Sequence, residues 1–214
     1  MSVQTVEFLG LPGAGKTTLV RHLACQLSDV VLREEFLRVA RRSDILMHPV
    51  QHLRPAIRSP SVVARGRVAR NAVKSYMNQS AARQRHWEPA TVILEEGFVH
   101  HLWRAIFCGL PIRNALRMAQ DATNGADSFI YLEVTQGTAA SRIARKANPG
   151  PINRILMDHD PGGHLWTEGQ STYELLAAEI ASCGAEVHNV DASQDLEVMT
   201  DIVVAILRRQ RDAQ

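Results

Sequence analysis

Val3-Gln4-Thr5-Val6-Glu7-Phe8-Leu9 runs directly into Gly10-Leu11-Pro12-Gly13-Ala14-Gly15-Lys16-Thr17-Thr18, and this stretch decides the fold. Its second part satisfies G-x-x-x-x-G-K-[ST] in full, and each position has a mechanical reason. The glycines permit a backbone geometry that turns successive N–H groups into one anion-binding concavity. The helix opening at Lys16 adds the positive end of its dipole. Lys16 is expected to reach the β- and γ-phosphates of a nucleotide, and the Thr17 hydroxyl to coordinate magnesium. A strand precedes the motif and an amphipathic helix follows it, with Leu19, Leu23 and Leu27 in one stripe, which is the context a phosphate-binding loop requires. Gly10, Pro12, Gly13, Ala14, Gly15, Lys16, Thr17 and Thr18 form the expected nucleotide cradle.

Four further apolar runs follow: Val30–Leu32, Thr91–Leu94, Ser128–Val134 and Glu186–Val190. Val30-Val31-Leu32, Val92-Ile93-Leu94 and Phe129-Ile130-Tyr131-Leu132 are apolar without alternation, as in parallel strands covered by helices on both faces. Helical stretches lie between the runs. Ser171-Thr172-Tyr173-Glu174 matches a capping box and predicts a helix from there to near Gly184. Ser193 is the expected cap of a last helix, with Leu196, Met199, Val203 and Ile206 facing inward. Strands alternating with helices predict an α/β fold, a three-layer P-loop NTPase architecture with a five-stranded parallel sheet. Nearly sixty residues separate the second run from the third, far more than one crossover helix needs. Residues 33–88 are therefore expected to form a helical acceptor-binding cap. A second excess, 136–170, is the expected lid region. The whole, 1–214, is read as a single domain.

The bulk composition narrows the function. The chain has 214 residues, 45% hydrophobic and 21% charged, with a formal net charge of +2. No molecule-wide field argues for nucleic acid or a membrane surface. No run approaches the length a spanning helix needs, and the opening residues lack the pattern of a secretory signal. Cys25, Cys108 and Cys183 are far apart and odd in number, which suits a reduced cytoplasmic protein with small buried thiols. No membrane partner is expected, nucleic acid is disfavoured, and a homodimer is compatible with this reading. The histidines carry no metal-site spacing. Trp87, Trp103 and Trp166 could stack a ring, although core packing is expected for at least two of them.

Two strand ends carry acids. Val92-Ile93-Leu94 ends in Glu95-Glu96-Gly97, and in P-loop proteins the neighbouring strand commonly ends in an acid that touches magnesium or its waters. Glu95 is the candidate for that role, or for base towards an acceptor hydroxyl. The second strand ends Leu32-Arg33-Glu34-Glu35, where strand carboxyl ends converge on the ligand crevice. Glu34 is a candidate to hold or deprotonate an acceptor. Which of Glu34, Glu35, Glu95 and Glu96 does so is left open. Arg142 and Arg145, three apart on a predicted helix, are expected to share a face and to place guanidinium forks on the transferring phosphate, with Arg154 as a further candidate.

No N-K-x-D guanine-reading motif occurs in the sequence, and nothing in it matches a transporter ATPase. The chain resembles the P-loop nucleoside and nucleotide kinases, thymidylate kinase in particular, over nearly its whole length. Leu32-Arg33-Glu34-Glu35 resembles the family's R-E-P, and Glu95-Glu96-Gly97 stands where relatives carry D-R-[YH] or E-R-S. Ile130–Val134 followed by Ala139–Lys146 resembles the strand before the lid and the first lid arginines. Val190-Asp191-Ala192-Ser193 resembles the adenine-side loop, which adds Asp191 and Ala192 to the nucleotide site. The resemblance implies ATP and Mg2+ as cofactors, a small-molecule phosphate acceptor, and Lys16, Glu95, Arg142, Arg145 and Glu34 as catalytic residues.

This sequence also departs from that pattern. Glu96 replaces the arginine of D-R-[YH], and Glu35 the proline of R-E-P. Paired acids disfavour a phosphate and suit hydroxyls or an amine. Against this, residues 33–85 hold twelve arginines or lysines and three acids, a basic cap able to attract a phosphorylated acceptor. The acceptor is thus a nucleoside or nucleotide, or else a sugar, antibiotic or other specialised metabolite. A non-catalytic nucleotide-gated binding module is the third reading.

Overall fold

The computed structural model describes residues 4–32, 91–120, 126–158, 160 and 163–212. The expected cap over 33–88, with Glu34, Glu35 and Trp87, lies outside the described residues. The elements, numbered among the described residues, begin with β1 (Gln4–Leu9), α1 (Lys16–Gln26), β2 (Val30–Leu32) and β3 (Thr91–Leu94). They continue with α2 (Phe98–Phe107), α3 (Ile112–Ala119), β4 (Ser128–Glu133), α4 (Gln136–Ala144) and α5 (Pro151–Asp158). The chain then forms α6 (His164–Ser182), β5 (Glu186–Asp191) and α7 (Leu196–Asp212).

The five strands form one sheet in the order β2-β3-β1-β4-β5, and every pairing is parallel. The strand that leads into the phosphate loop therefore sits at the centre. Its register sets Glu7 opposite Leu94 on one side and Phe129 on the other. β1 and β3 are buried throughout, as their unbroken apolar character requires. β2, at the sheet edge, is only half-buried.

Side chains on a strand alternate between the two faces, and β1 shows where each face leads. Gln4 hydrogen-bonds Gln210 on α7, and α1 packs beside α7 on that face. Glu7, of opposite parity, reaches the start of α2; α2, α3 and α6 pack together on this second face. Three layers result, as the alternation of strands and helices predicts. Trp103, Tyr173, Phe8 and Phe129 are the bulkiest fully buried side chains. Trp103 and Tyr173 stack with ring centroids 5.0 Å apart, and the indole N–H of Trp103 donates to the Gly169 carbonyl at 2.9 Å. Trp166 is also buried, so both described tryptophans serve the core.

Three local expectations need correction. The helix expected to open at Ser171 begins at His164, behind Gly163 as its N-cap. The capping-box signature lies inside it, because Trp166, Gly169 and Tyr173 already form a buried stripe across the supposed boundary. The last helix starts at Leu196 rather than beside Ser193. Ser193 instead donates its backbone N–H to the Asp191 side chain at 2.8 Å, a local turn of the kind aspartate favours. All three cysteines are free, and Cys25 and Cys183 are exposed rather than buried. No helix among the described residues is long and apolar enough to cross a membrane.

Candidate active site

The loop between β1 and α1 has the backbone its glycines allow. Gly13 and Gly15 hold φ values of 86° and 96°, in the left-handed region where a Cβ is penalised. Gly13 has a second constraint, since a Cβ there would fall within 3.0 Å of the Ala139 backbone. The first half of α4 therefore closes directly over the loop. Gly15 caps α1 without a side chain, and α1 has no acid in its first turn. The helix itself thus sets no carboxylate against its N-terminal N–H groups and dipole, the arrangement that attracts a phosphate.

Lys16 is buried, and its ammonium donates to the carbonyls of Gly10 and, at 3.2 Å, of Leu11. Burial pulls its pKa down to about 8, against the opposing pull of the Glu95 and Glu96 charges. The Lys146 charge lowers it slightly further. The sign of the pH effect follows. Above about 8 the free protein holds Lys16 neutral, while a bound triphosphate favours the ammonium. Triphosphate binding should therefore take up a proton above that pH, and affinity should fall by up to about tenfold per pH unit there. Calorimetry in buffers of different ionisation enthalpy reads this directly. Proton uptake that appears on raising the pH through about 8, and is absent a unit or more lower, is the expected result.

Parallel pairing with β1 delivers the end of β3 to the loop. Glu95 follows β3 immediately, and the Thr17 hydroxyl donates to its Oε1. A hydroxyl and a carboxylate in contact beside an anion cradle are hard oxygen donors, the set Mg2+ prefers. The donor chemistry of Thr17 and Glu95 fits Mg2+. Among the described residues no cluster of three histidines, cysteines or acids offers another metal site.

On the opposite side of the loop, Arg142 of α4 spans two elements. Its Nη1 donates to the Ala14 carbonyl at 3.3 Å and its Nη2 to the Ala192 carbonyl at 2.8 Å. The turn after β5 is tied back in turn, through the Ala192 N–H donating to the Glu133 carbonyl at 2.7 Å. Hydrogen bonds from Ser193 hold the Asp191 carboxyl below its usual range. Lys16, Thr17, Glu95, Arg142, Asp191 and Ala192 thus come together around one loop. Arg145 does not join them in the same way. It ends α4 as its C-cap and is exposed. Arg154, also exposed, donates to the Pro149 carbonyl at 3.0 Å.

Several residues with a part here escape sequence reasoning. Glu96 lies 3.7 Å from the His100 ring and 3.9 Å from the Arg104 guanidinium, both on α2, so this acid has a positive partner two turns along the helix. His100 Nδ1 lies 2.9 Å from the Tyr173 hydroxyl. Burial, and after it the Glu7 charge, keep that phenol protonated well above its usual range. Glu7 is the most informative omission. An acid inside an otherwise apolar strand is itself a signal, because a buried carboxylate requires partners.

The sequence profile of the AAA domain family matches residues 6–158, most of the chain and all of the site residues up to the lid. The chain belongs to this family. No curated protein matches it in sequence. Among solved structures, deoxyadenosine kinase from M. mycoides has the same fold. With the products dCMP and a flexible dCDP bound, it aligns over 96% of this chain and 100% of its own at 15% identity and a TM-score of 0.59. The same enzyme with dATP bound aligns equally far, at 15% identity and a TM-score of 0.58. The expected three-layer P-loop fold with a five-stranded parallel sheet is thus the observed one.

Proposed function

We propose that the chain is an ATP- and Mg2+-dependent small-molecule kinase that transfers the γ-phosphate to a hydroxyl of a nucleoside-like acceptor. The observation that carries this reading is the contact between the Thr17 hydroxyl and Glu95, next to a buried lysine at the mouth of a phosphate-binding loop. That is the donor half of a phosphoryl-transfer site. In the reaction the acceptor oxygen forms a bond to the γ-phosphorus as its bond to the β,γ-bridging oxygen breaks, ADP leaves, and the acceptor proton passes to a carboxylate. Lys16 and the first turn of α1 hold the β- and γ-phosphates. Thr17 and Glu95 hold Mg2+, which when bound supplies charge neutralisation on the phosphate oxygens. Arg142 secures the loop against the Asp191-Ala192 turn, on the nucleoside side. Glu34 is assigned to orient the acceptor, within a cap formed by 33–88, and Arg145 to approach the phosphates from a lid formed by 136–170. The three free cysteines suit a reducing compartment such as the cytoplasm.

A second reading keeps the fold and the donor site and takes a sugar, antibiotic or other specialised metabolite as acceptor. The placement of Arg104 favours a hydroxylated acceptor over a phosphorylated one in either case. Its guanidinium lies 3.9 Å from Glu96, so among the described residues the arginine beside that position is already set against a carboxylate. The test is ADP release with a panel of nucleosides, nucleotides, sugars and aminoglycosides. ADP release stimulated by an unphosphorylated, hydroxylated compound supports the proposal. Stimulation by nucleoside monophosphates alone would replace the hydroxyl acceptor with a phosphate one.

A further inference from the structure

We propose that Glu7, a residue of β1 remote from the phosphates, is the positioning residue for Glu95. Glu7 is 1% exposed and sits in the central strand of the sheet. Oε1 accepts the backbone N–H groups of Val99 at 2.7 Å and His100 at 3.1 Å, and Oε2 that of Phe98 at 2.9 Å. Burying a carboxylate is costly unless hydrogen bonds replace its water, and here three donors and the positive end of α2 do so. The helix has no other side-chain cap, since its N-cap is Gly97. The residue that caps α2 therefore comes from another element, across the sheet.

The consequence falls on the three residues between. Leu94 is fixed by its pairing with Glu7 in the sheet register, and Phe98 is fixed by the Glu7 side chain. Glu95, Glu96 and Gly97 span those two points, so backbone and side chain of one residue hold both ends of the turn. Gly97 fits the same arrangement, because a Cβ there would land on the Glu7 carboxyl group. Three residues beyond Glu7, the same strand enters the phosphate loop at Gly10. β1 thus sets the position of the loop through its backbone and the position of Glu95 through Glu7. The spacing between Thr17 and Glu95, and with it the metal site, depends on both.

This inference rests on the kinase reading, and the experiment separates the two. ATP binding is measured by calorimetry with and without Mg2+ for the wild type and for Glu7→Gln, alongside thermal unfolding. The glutamine offers one acceptor and turns an N–H2 against backbone donors, so the turn loses part of its anchor. The half-saturating Mg2+ concentration for ATP binding should rise about 10-fold or more, as for other groups that orient a metal ligand. Binding without Mg2+ should stay within about twofold of the wild type, because the loop itself is untouched. An unchanged Mg2+ requirement beside a lowered Tm would make Glu7 a purely structural group and overturn the proposal. Should Glu7→Gln fail to fold, Gly97→Ala, which keeps the carboxyl and displaces the turn, carries the same expectation. If neither variant folds, Glu7 acts in folding rather than positioning, and the proposal falls. A wild type whose ATP binding ignores Mg2+ would overturn the kinase reading itself, and the inference with it.

Discussion

Lys16→Ala should lower phosphoryl transfer by about 10²–10³-fold, the scale on which a preorganised charge acts on a transition state. Lys16 is buried, so its charge acts where water screens it least. The same burial costs the folded protein something, because it holds the ammonium pKa down at about 8. Removing the side chain relieves that cost while losing two hydrogen bonds to loop carbonyls, each worth about 1 kcal/mol net. The opposing effects leave stability nearly unchanged, within about 1 kcal/mol. Steady-state turnover, measured beside thermal unfolding, checks both halves. A variant that kept its Tm and also kept its turnover would remove Lys16 from the mechanism.

Glu95→Gln should produce the second large effect, a loss of about 10²-fold in kcat with a rise of about 10-fold in the half-saturating Mg2+ concentration. Glutamine retains an oxygen that can accept from Thr17, so the local packing survives and the charge alone is removed. A further consequence distinguishes this variant from a general disturbance of the site. The Glu95 charge is the largest influence holding the Lys16 pKa up against burial. Without it, Lys16 should lose its proton at a lower pH than about 8, and proton uptake on ATP binding should begin at correspondingly lower pH. Turnover as a function of Mg2+ and calorimetric proton linkage give the two readings. Unchanged Mg2+ dependence with an unchanged linkage pH would exclude Glu95 from the metal site.

The sheet and the donor half of the site were legible because each depends on local pattern. Unalternated apolar runs such as Phe129-Ile130-Tyr131-Leu132 read directly as buried parallel strands, and all five runs are strands in one sheet. The loop glycines, Lys16 and Thr17 follow from spacing alone, and Glu95 from its place at a strand end. Helix boundaries were less legible. The Ser171 signature is chemically sound as a cap, yet the packing of Gly169 and Tyr173 against Trp103 of α2 extends the helix through it. Tertiary burial outweighs a cap contribution of about 1 kcal/mol.

Long-range contacts account for what was missed. Nothing near Glu7 in the chain shows that Phe98, Val99 and His100 donate to it from ninety residues away. Nothing near Glu96 shows that Arg104, rather than its immediate neighbour, supplies the opposing charge. Arg142 and Arg145 illustrate the limit of helical spacing as a guide. Three residues apart, they were expected to share a face and a role. One is drawn in between the Ala14 and Ala192 carbonyls, while the other stands exposed where α4 ends.

The central claim is that this loop donates a phosphoryl group to a small molecule. Its most direct test follows the γ-phosphate itself, using ATP labelled at that position with wild-type protein, Mg2+ and the acceptor panel, and mass detection of products. The account predicts an acceptor heavier by one phosphoryl group that carries the label, and loss of that product with Lys16→Ala. Tight ATP binding with the label remaining on ATP, or appearing only as inorganic phosphate whatever the acceptor, would contradict it.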